Sequence, residues 1–399
     1  MTREQPSRLP KEFIVFTASS MVLTALGIDI MLPAFADLRA HFAHTTDPTE
    51  TSKLISWFFM GQVTQLAFGY LTDRHGRLPV LRAGMLLYIT SGLLTVFVPN
   101  LQWMIIFRFI SGMGAAAVFM TSIASVRDRY SGDAMARITS FVVFIFLFTP
   151  VAAPFLGAWL MKFYSWKIVF LVPPCFAVLV FIWSFRMRES HPKEKRPKAG
   201  FTETLTRLRS IVTNKGFMRY AVIATLLFTP FSSYISSSER IIGEIYAEPA
   251  LFPYIFGGIG LIMACFAFSN SYFSGKFGAK PTLRTLLLIY SLAALLFFIS
   301  SITIGDPPPL IIFFISMTCI CSITTMADPN STALALQHMG DKAGLATSIY
   351  GTMFFFIGSV AGAFISSKLI HGIVLLAAGF AIAGITASIL ALTEREPRQ

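Results

Sequence analysis

The stretch "GYLTDRHGRLPVL", residues 69–81, is a short charged interruption between two long apolar runs, and it returns at residues 271–283 as "SYFSGKFGAKPTL". The copies lie 202 residues apart and keep Tyr70 with Tyr272, Gly76 with Gly278, Pro79 with Pro281 and Leu81 with Leu283 in register. Each joins the second apolar run of its half of the chain to the third. A duplicated connector at one fixed offset is the mark of an internal repeat. The first copy carries Asp73, Arg74 and Arg77, whereas the second has Gly275 in place of the aspartate. A charge cluster is therefore expected only in the first.

Working outward, the 399 residues are 55% hydrophobic and 13% charged, with a mean hydropathy of +0.68. That composition lies outside the range of water-soluble domains and defines a membrane protein. A bilayer core takes about 20 apolar residues per helix. Twelve such runs are read near 13–34, 52–72, 80–98, 101–125, 138–160, 167–186, 218–241, 251–273, 283–303, 309–336, 344–366 and 369–391. The expected fold is an all-α membrane protein, twelve transmembrane helices in two six-helix halves around a central cavity. Its expected divisions are an N-terminal half, 1–185, a basic cytoplasmic linker, 186–217, and a C-terminal half, 218–399. Two parallel six-helix repeats with substrate between them form one of the recognised transporter plans.

Lys and Arg concentrate in cytoplasmic loops. With the N-terminus inside, 25 of the 32 basic residues fall on the cytoplasmic side, ten of them between Arg186 and Arg219. Both termini are thus expected inside a bacterial-type inner membrane. The net charge of +12 follows from this bias and gives no reason to expect nucleic-acid binding. Within the linker, "FTETLTRLRSIV", residues 201–212, has helical apolar spacing and is expected to lie as an amphipathic helix on the membrane face. The apolar run before Ala34-Phe35-Ala36 is read as the first span rather than as a cleaved leader.

The connector "GYLTDRHGRLP" resembles the G-x-L-[ST]-D-R-x-G-R motif of the major facilitator superfamily, with Gly69, Asp73, Arg74, Gly76 and Arg77 in place. Gly69 permits close helix approach and Gly76 a tight reversal. The resemblance implies that the charge cluster latches the cytoplasmic side. "FRFISGMGAA" holds Arg108, Gly112 and Gly114 and looks like the superfamily's R-x-x-x-G-x-G element, which implies an arginine near the proton route. The alternative is an arginine hydrogen-bonded to backbone carbonyls near a broken helix.

"TPVAAPFLGAWL", residues 149–160, resembles the antiporter motif, with Pro150, Ala153, Pro154 and Gly157, although alanines stand at 153 and 158 where glycines are usual. "GIDIMLPAF", residues 27–35, resembles the D-x-x-x-P element of drug:proton antiporters with twelve spans, the bicyclomycin-resistance type. Some multidrug relatives have a second acid eight residues earlier; here that position is Met21.

An ionised side chain at a helix centre in a bilayer costs roughly 2.5–3.5 kcal/mol on insertion scales. The acids within or at the ends of spans are therefore the candidates for work. Asp29, Arg108 and Asp328 are read as proton-coupling residues, and Asp29, Glu239, Arg240 and Asp328 as substrate-binding ones. For Asp29 and Asp328 the competing reading is a polar tie between helices. Glu239 and Arg240 are adjacent, do not face each other on a helix, and are expected to find separate partners.

The resulting expectation is a proton-coupled antiporter exporting amphipathic small molecules. It is expected to be monomeric and to need no cofactor beyond the coupling proton and no metal. One alternative is a transporter of a polar or anionic metabolite, such as a carboxylate siderophore, in either direction. The other is a non-transporting membrane receptor. An enzyme is not expected, since no nucleophile–base arrangement, phosphate loop or metal-ligand spacing is present.

Overall fold

A computed structural model describes residues 9–42, 48–130, 132–192, 194, 201–337, 339–369 and 372–393. Every regular element among them is helical. Each of the twelve apolar runs carries helix, and nine of the described helical segments are long and apolar enough to cross a membrane. The other three runs are a broken helix pair over 53–75, an 18-residue helix that begins at Arg77 and contains Arg82, and a longer helix whose apolar part is Ile145–Met161.

The first run is not one continuous helix. α1, Leu9–Asp29, stops at the acid, a 3-10 turn covers Leu32–Ala34, and α2, Phe35–Phe42, continues. Pro33 explains the stop. It has no N–H to give to the Asp29 carbonyl four residues back, and its ring crowds that carbonyl.

The second run is also interrupted: α3, Lys53–Gly61, and α4, Gln65–His75, are separated by a 3-10 turn at Gln62–Thr64. Just before this turn α3 crosses α6, Leu101–Arg129, almost backbone to backbone. A Cβ on Gly61 would come 2.3 Å from the Phe109 carbonyl oxygen, and one on Gly112 would come 2.0 Å from that of Phe58. Small residues at such crossings are what helix association in lipid requires.

α5, Arg77–Leu94, packs on α6 and on α8, Lys167–Ser184, while α1 packs on α6, α8 and α7, Gly132–Met161. The segment 201–212 forms α9, Phe201–Val212, with the bounds its apolar spacing sets.

Farther along, α10, Lys215–Arg240, ends in a π turn at Ile241–Ile245. It packs on α13, Leu310–Leu336, on α15, Gly358–Ser367, and on α16, Val374–Leu392. α11, Phe252–Phe277, lies against α13, and α12, Ala279–Thr303, against α13 and α16. α14, Ala343–Thr352, and α15 are joined by a second π turn, Met353–Ile357.

Three main contacts join the earlier helices to the later ones: α7 on α11, α4 on α14 and α3 on α15. At the first, Gly257 and Gly260 admit Val151, Phe155 and Pro150. The outward faces are apolar, with Phe97, Leu179 and Ile382 largely exposed. Such a surface suits lipid, not water.

The repeated connector has the same backbone in both copies. Gly76 joins α4 to α5 at φ 99° and ψ 165°, and Gly278 joins α11 to α12 at φ 86° and ψ 155°. Only glycine adopts such a conformation without strain. Of the four cysteines, all unpaired thiols, Cys321 is buried and Cys319 partly so, but Cys175 and Cys265 are exposed on apolar helices.

Gly112→Ala is expected to destabilise the protein by about 1–3 kcal/mol, because the added methyl overpacks a backbone crossing. Gly275→Ala meets nothing within 4 Å and should be neutral or slightly stabilising, as Ala is the better helix former. Thermal unfolding in detergent, followed by thiol exposure, checks both.

Candidate functional site

The end of α1 leaves carbonyls without helical partners, and a basic side chain fills one of them. Arg108 Nη2 donates to the Gly27 carbonyl at 2.6 Å, and its Nε donates to the Leu54 carbonyl at 3.3 Å. The guanidinium lies 4.4 Å from the centre of the Phe58 ring. Arg108 is therefore held by carbonyls at a broken helix, the second of the two arrangements left open by its sequence context. Asp29, two residues beyond Gly27, is 4% exposed and forms no ion pair among the described residues.

Gly157 of α7 seats against this break. A Cβ there would lie 2.2 Å from the Ile30 carbonyl oxygen and 3.4 Å from Pro33 Cγ. Ala153, one turn earlier, is buried. From the other side, Tyr88 packs on Gly27 and donates its hydroxyl to the Leu23 carbonyl at 2.9 Å.

On the side of the first connector, Arg77 Nη1 donates to Asp73 at 2.5 Å and Arg77 Nε to Asp128 at 2.7 Å. Glu189, from the segment after α8, accepts from the backbone N–H groups of Arg77 at 2.9 Å and Leu78 at 3.0 Å. A carboxylate on the first N–H groups of a helix is the favoured cap by charge and by hydrogen bonding. Arg74 stays outside this cluster and donates to the Tyr70 hydroxyl instead. Gly69 faces α14, where a Cβ would fall 2.2 Å from Ser348 Oγ. In the second copy Lys276 lies over the Tyr272 and Phe277 rings, and Gly275 opens onto free space.

At the opposite end, Arg39 of α2 grips Glu239 of α10 with two donors, Nη1 at 2.7 Å and Nη2 at 3.0 Å. Its Nε pairs with Glu244 at 2.6 Å, and Arg240 Nε pairs with the other oxygen of Glu244 at 2.9 Å. Glu239 and Arg240 thus take separate partners, as their adjacency requires. Arg39, Glu244, Asp128 and Glu189 lay beyond sequence reasoning. Only Glu244, four residues after Arg240, carried a local spacing signal.

Asp328, on α13, accepts from the Tyr350 hydroxyl at 2.7 Å. Tyr350 stacks on Phe354, with ring centres 6.2 Å apart and planes at 11°. Beyond them Phe59, Phe228 and Phe355 close a continuous aromatic group.

An all-helical protein with broken spans, acids inside them and repeated connectors has the build of a membrane transporter. The sequence profile of the Major Facilitator Superfamily matches residues 13–363, and the chain belongs to that family. It is 26% identical over 364 residues to the bicyclomycin resistance protein homolog of Haemophilus influenzae, covering 89% of each chain. It is 25% identical over 345 residues to the multidrug resistance protein MdtL of Escherichia coli, covering 85% of this chain and 84% of that protein. The fold is similar to the inward-open xylose transporter XylE from E. coli, with a TM-score of 0.75, 14% identity and 96% of each chain covered. A mutant form of the nucleoside transporter NupG has a TM-score of 0.71 at 13% identity, covering 94% of this chain and 98% of that one. The protein is a transporter and not an enzyme.

Removing either member of the Arg39–Glu239 pair by substitution to Ala is expected to destabilise the protein by about 1–3 kcal/mol, because a buried charge loses its main partner. The double variant should lose less than the sum. A double-mutant cycle on thermal unfolding measures the coupling.

Proposed function

We propose that the protein is a proton-coupled antiporter that exports amphipathic small molecules across a bacterial-type inner membrane. It does so with twelve spans arranged as two six-helix halves, 1–185 and 218–399, and with both termini cytoplasmic. The observation that carries the reading is the α1 break. A buried carboxylate without a cationic partner among the described residues, Asp29, sits where a span is interrupted by Pro33, and Gly157 of the antiporter-like segment packs directly on that interruption. A carboxylate in such surroundings exchanges a proton when its access to water alternates.

The names of the relatives, which are those of resistance proteins, support export. The alternating device follows from the contacts at the two ends. The cytoplasmic ends are held by the close packing of α4 on α14 around Gly69, beside the Asp73–Arg77–Asp128 cluster. Arg39 and Glu239 hold the outer ends. Opening one side while the other stays shut lets Asp29 face each compartment in turn. The cations that an anionic substrate would need, Arg240 and Arg108, are engaged with Glu244 and with the Gly27 and Leu54 carbonyls. That engagement favours the export reading over the anionic one.

In proteoliposomes with an acidic exterior, protons moving down their gradient should drive substrate outward. Asp29→Asn is expected to abolish both this coupled efflux and substrate-driven proton release. Uphill efflux by the Asn variant at the wild-type rate would overturn the role of Asp29.

A further inference from the structure

We propose that α9 is a lipid-binding element: its exposed apolar stripe and its basic residues seat on the anionic cytoplasmic leaflet, and that seat braces α14 where it closes on α4. The proposal goes beyond the antiport reading. It takes from that reading only the orientation of the chain, and it needs neither the coupling ion nor the substrate.

The stripe comes first. Leu205, Leu208 and Val212 recur at helical spacing, three and then four residues apart. Leu205 is 54% exposed and Val212 42%, while Leu208 is half-buried. Ile211, beside the stripe, is 1% exposed and pins the helix to the body of the protein, where α9 rests on α10 and α14. Turned to water, such a stripe is unfavourable; set into the boundary between headgroups and acyl chains, it is buried. The level is right for that boundary, because α10 begins at Lys215, three residues after Val212.

Charge names the leaflet. Residues 205–219 contain Arg207, Arg209, Lys215 and Arg219 and no acid. The first three are exposed, as is Lys342, which reaches α9 from the turn before α14. Arg209 is four residues after Leu205 and three before Val212, so it adjoins both on the helix surface. A guanidinium beside an apolar stripe matches a bilayer surface, in which phosphates lie above acyl chains. Basic groups so placed are drawn to a leaflet rich in anionic lipid. A cytosolic protein would need an apolar groove with an acidic rim to do the same, whereas the membrane presents both surfaces at this level.

α9 does not shift alone, because its corner with α10 is closed by hydrogen bonds. Thr213 Oγ1 donates to the Arg209 carbonyl at 2.9 Å, and the Asn214 N–H donates to the Ile211 carbonyl at 3.0 Å. Asn214 Oδ1 then accepts from the Phe217 N–H at 2.9 Å and caps α10. Where α9 sits on the membrane therefore fixes where α10 enters it.

The link to α14 leaves from the other side of the helix. Ser210 stands five residues from Leu205, away from the stripe, and its hydroxyl accepts from Lys342 Nζ at 2.9 Å while donating to the Arg207 carbonyl at 2.7 Å. Lys342 ends the 3-10 turn that leads into α14. Six residues on, about 9 Å along the helix, Ser348 meets Gly69 of α4. α9 is thus tied on one side to the lipid surface and on the other to the helix whose packing on α4 shuts the cytoplasmic ends. A seated α9 opposes the departure of α14 from α4.

The test uses the full chain in lipid nanodiscs, without substrate or proton gradient, so its failure leaves the antiport reading untouched. Cys175→Ala and Cys265→Ala remove the exposed thiols, and Leu205→Cys carries an environment-sensitive fluorophore. In discs with about 30% phosphatidylglycerol, iodide should quench this label at least about threefold less than in purely zwitterionic discs, and a doxyl-labelled lipid should quench it more. Arg207→Gln together with Arg209→Gln, or salt at about 1 M, should erase the difference. For the brace, spin labels on His75→Cys, which is exposed, and Gly344→Cys, which has open space around it, report the distance from α4 to α14. Phosphatidylglycerol should raise the share of the short distance about twofold or more. Ser210→Ala with Lys342→Gln should abolish that response while the label on α9 stays protected. Thermal unfolding identifies variants that retain the fold. Equal iodide quenching in both kinds of disc removes the anionic leaflet as the partner. Quenching by iodide and none by the doxyl lipid turns the stripe toward a cytosolic protein instead. A distance indifferent to lipid while the label on α9 is protected overturns the bracing of α14.

Discussion

The hydrogen bond from Arg108 to the Gly27 carbonyl is the constraint around which the first helices are arranged. A bilayer core offers no water to an orphan carbonyl, and each unsatisfied backbone group there costs several kcal/mol. Pro33 creates such orphans by ending α1 at Asp29. Arg108 meets one of them with a donor whose positive charge suits a helix C-terminus, and its second bond, to Leu54, ties α3 to the same point. Three spans thus meet around one guanidinium. The close crossing of Gly61 and Gly112 lets α3 and α6 come near enough for the reach to be made.

From that junction the interior reads as a division of labour between satisfied and unsatisfied charge. Basic groups are spent on structure, clamping carbonyls or pairing with Glu239, Glu244, Asp73 and Asp128. Asp29 and Asp328 lie within apolar runs and form no ion pair among the described residues, and they belong to helices that do not share a connector. The two ends are closed by different forces. Backbone-close packing of Gly69 on Ser348 joins α4 to α14, and a bidentate ion pair joins α2 to α10. Packing lost on separation is recovered by lipid or new neighbours, whereas a buried ion pair that separates leaves two charges to be rehydrated. The ion-paired end is therefore the one that needs water to enter before it can part.

Much of this was legible in the sequence. Hydropathy located twelve apolar runs, each of which carries helix, because lipid rewards apolar surface along the whole helix. The glycine of each connector announced its turn, and adjacency alone separated Glu239 from Arg240. Hydropathy does not report the breaks at Asp29 and Gln62: Pro33 is the local signal for the first, and the second lies beside a crossing with α6 that no local pattern encodes. Asp128 and Glu189 join Arg77 from 51 and 112 residues away, and Arg39 meets Glu239 across 200. Partners at such distances depend on how helices are arranged, which periodicity does not report. Tyr350 was hidden for the same reason, since an aromatic residue in an apolar run looks like any other until the helix facing it is known.

The repeated connector shows how one motif carries two separable kinds of information. Gly76 and Gly278 adopt nearly the same backbone angles, so the turn survives in both copies. Only the first keeps the acid, and only there do Asp73, Arg77 and Asp128 assemble. Glycine at a positive φ is required by the chain reversal and cannot be replaced without strain. The carboxylate is required by none of the local geometry, and Gly275 takes its place with open space around it. The part of the motif that makes the fold is thus held by backbone sterics in both copies, while the part that makes a latch is free to be lost from one. A transporter that carries two such connectors can hold one of them by charge and leave the other without that hold.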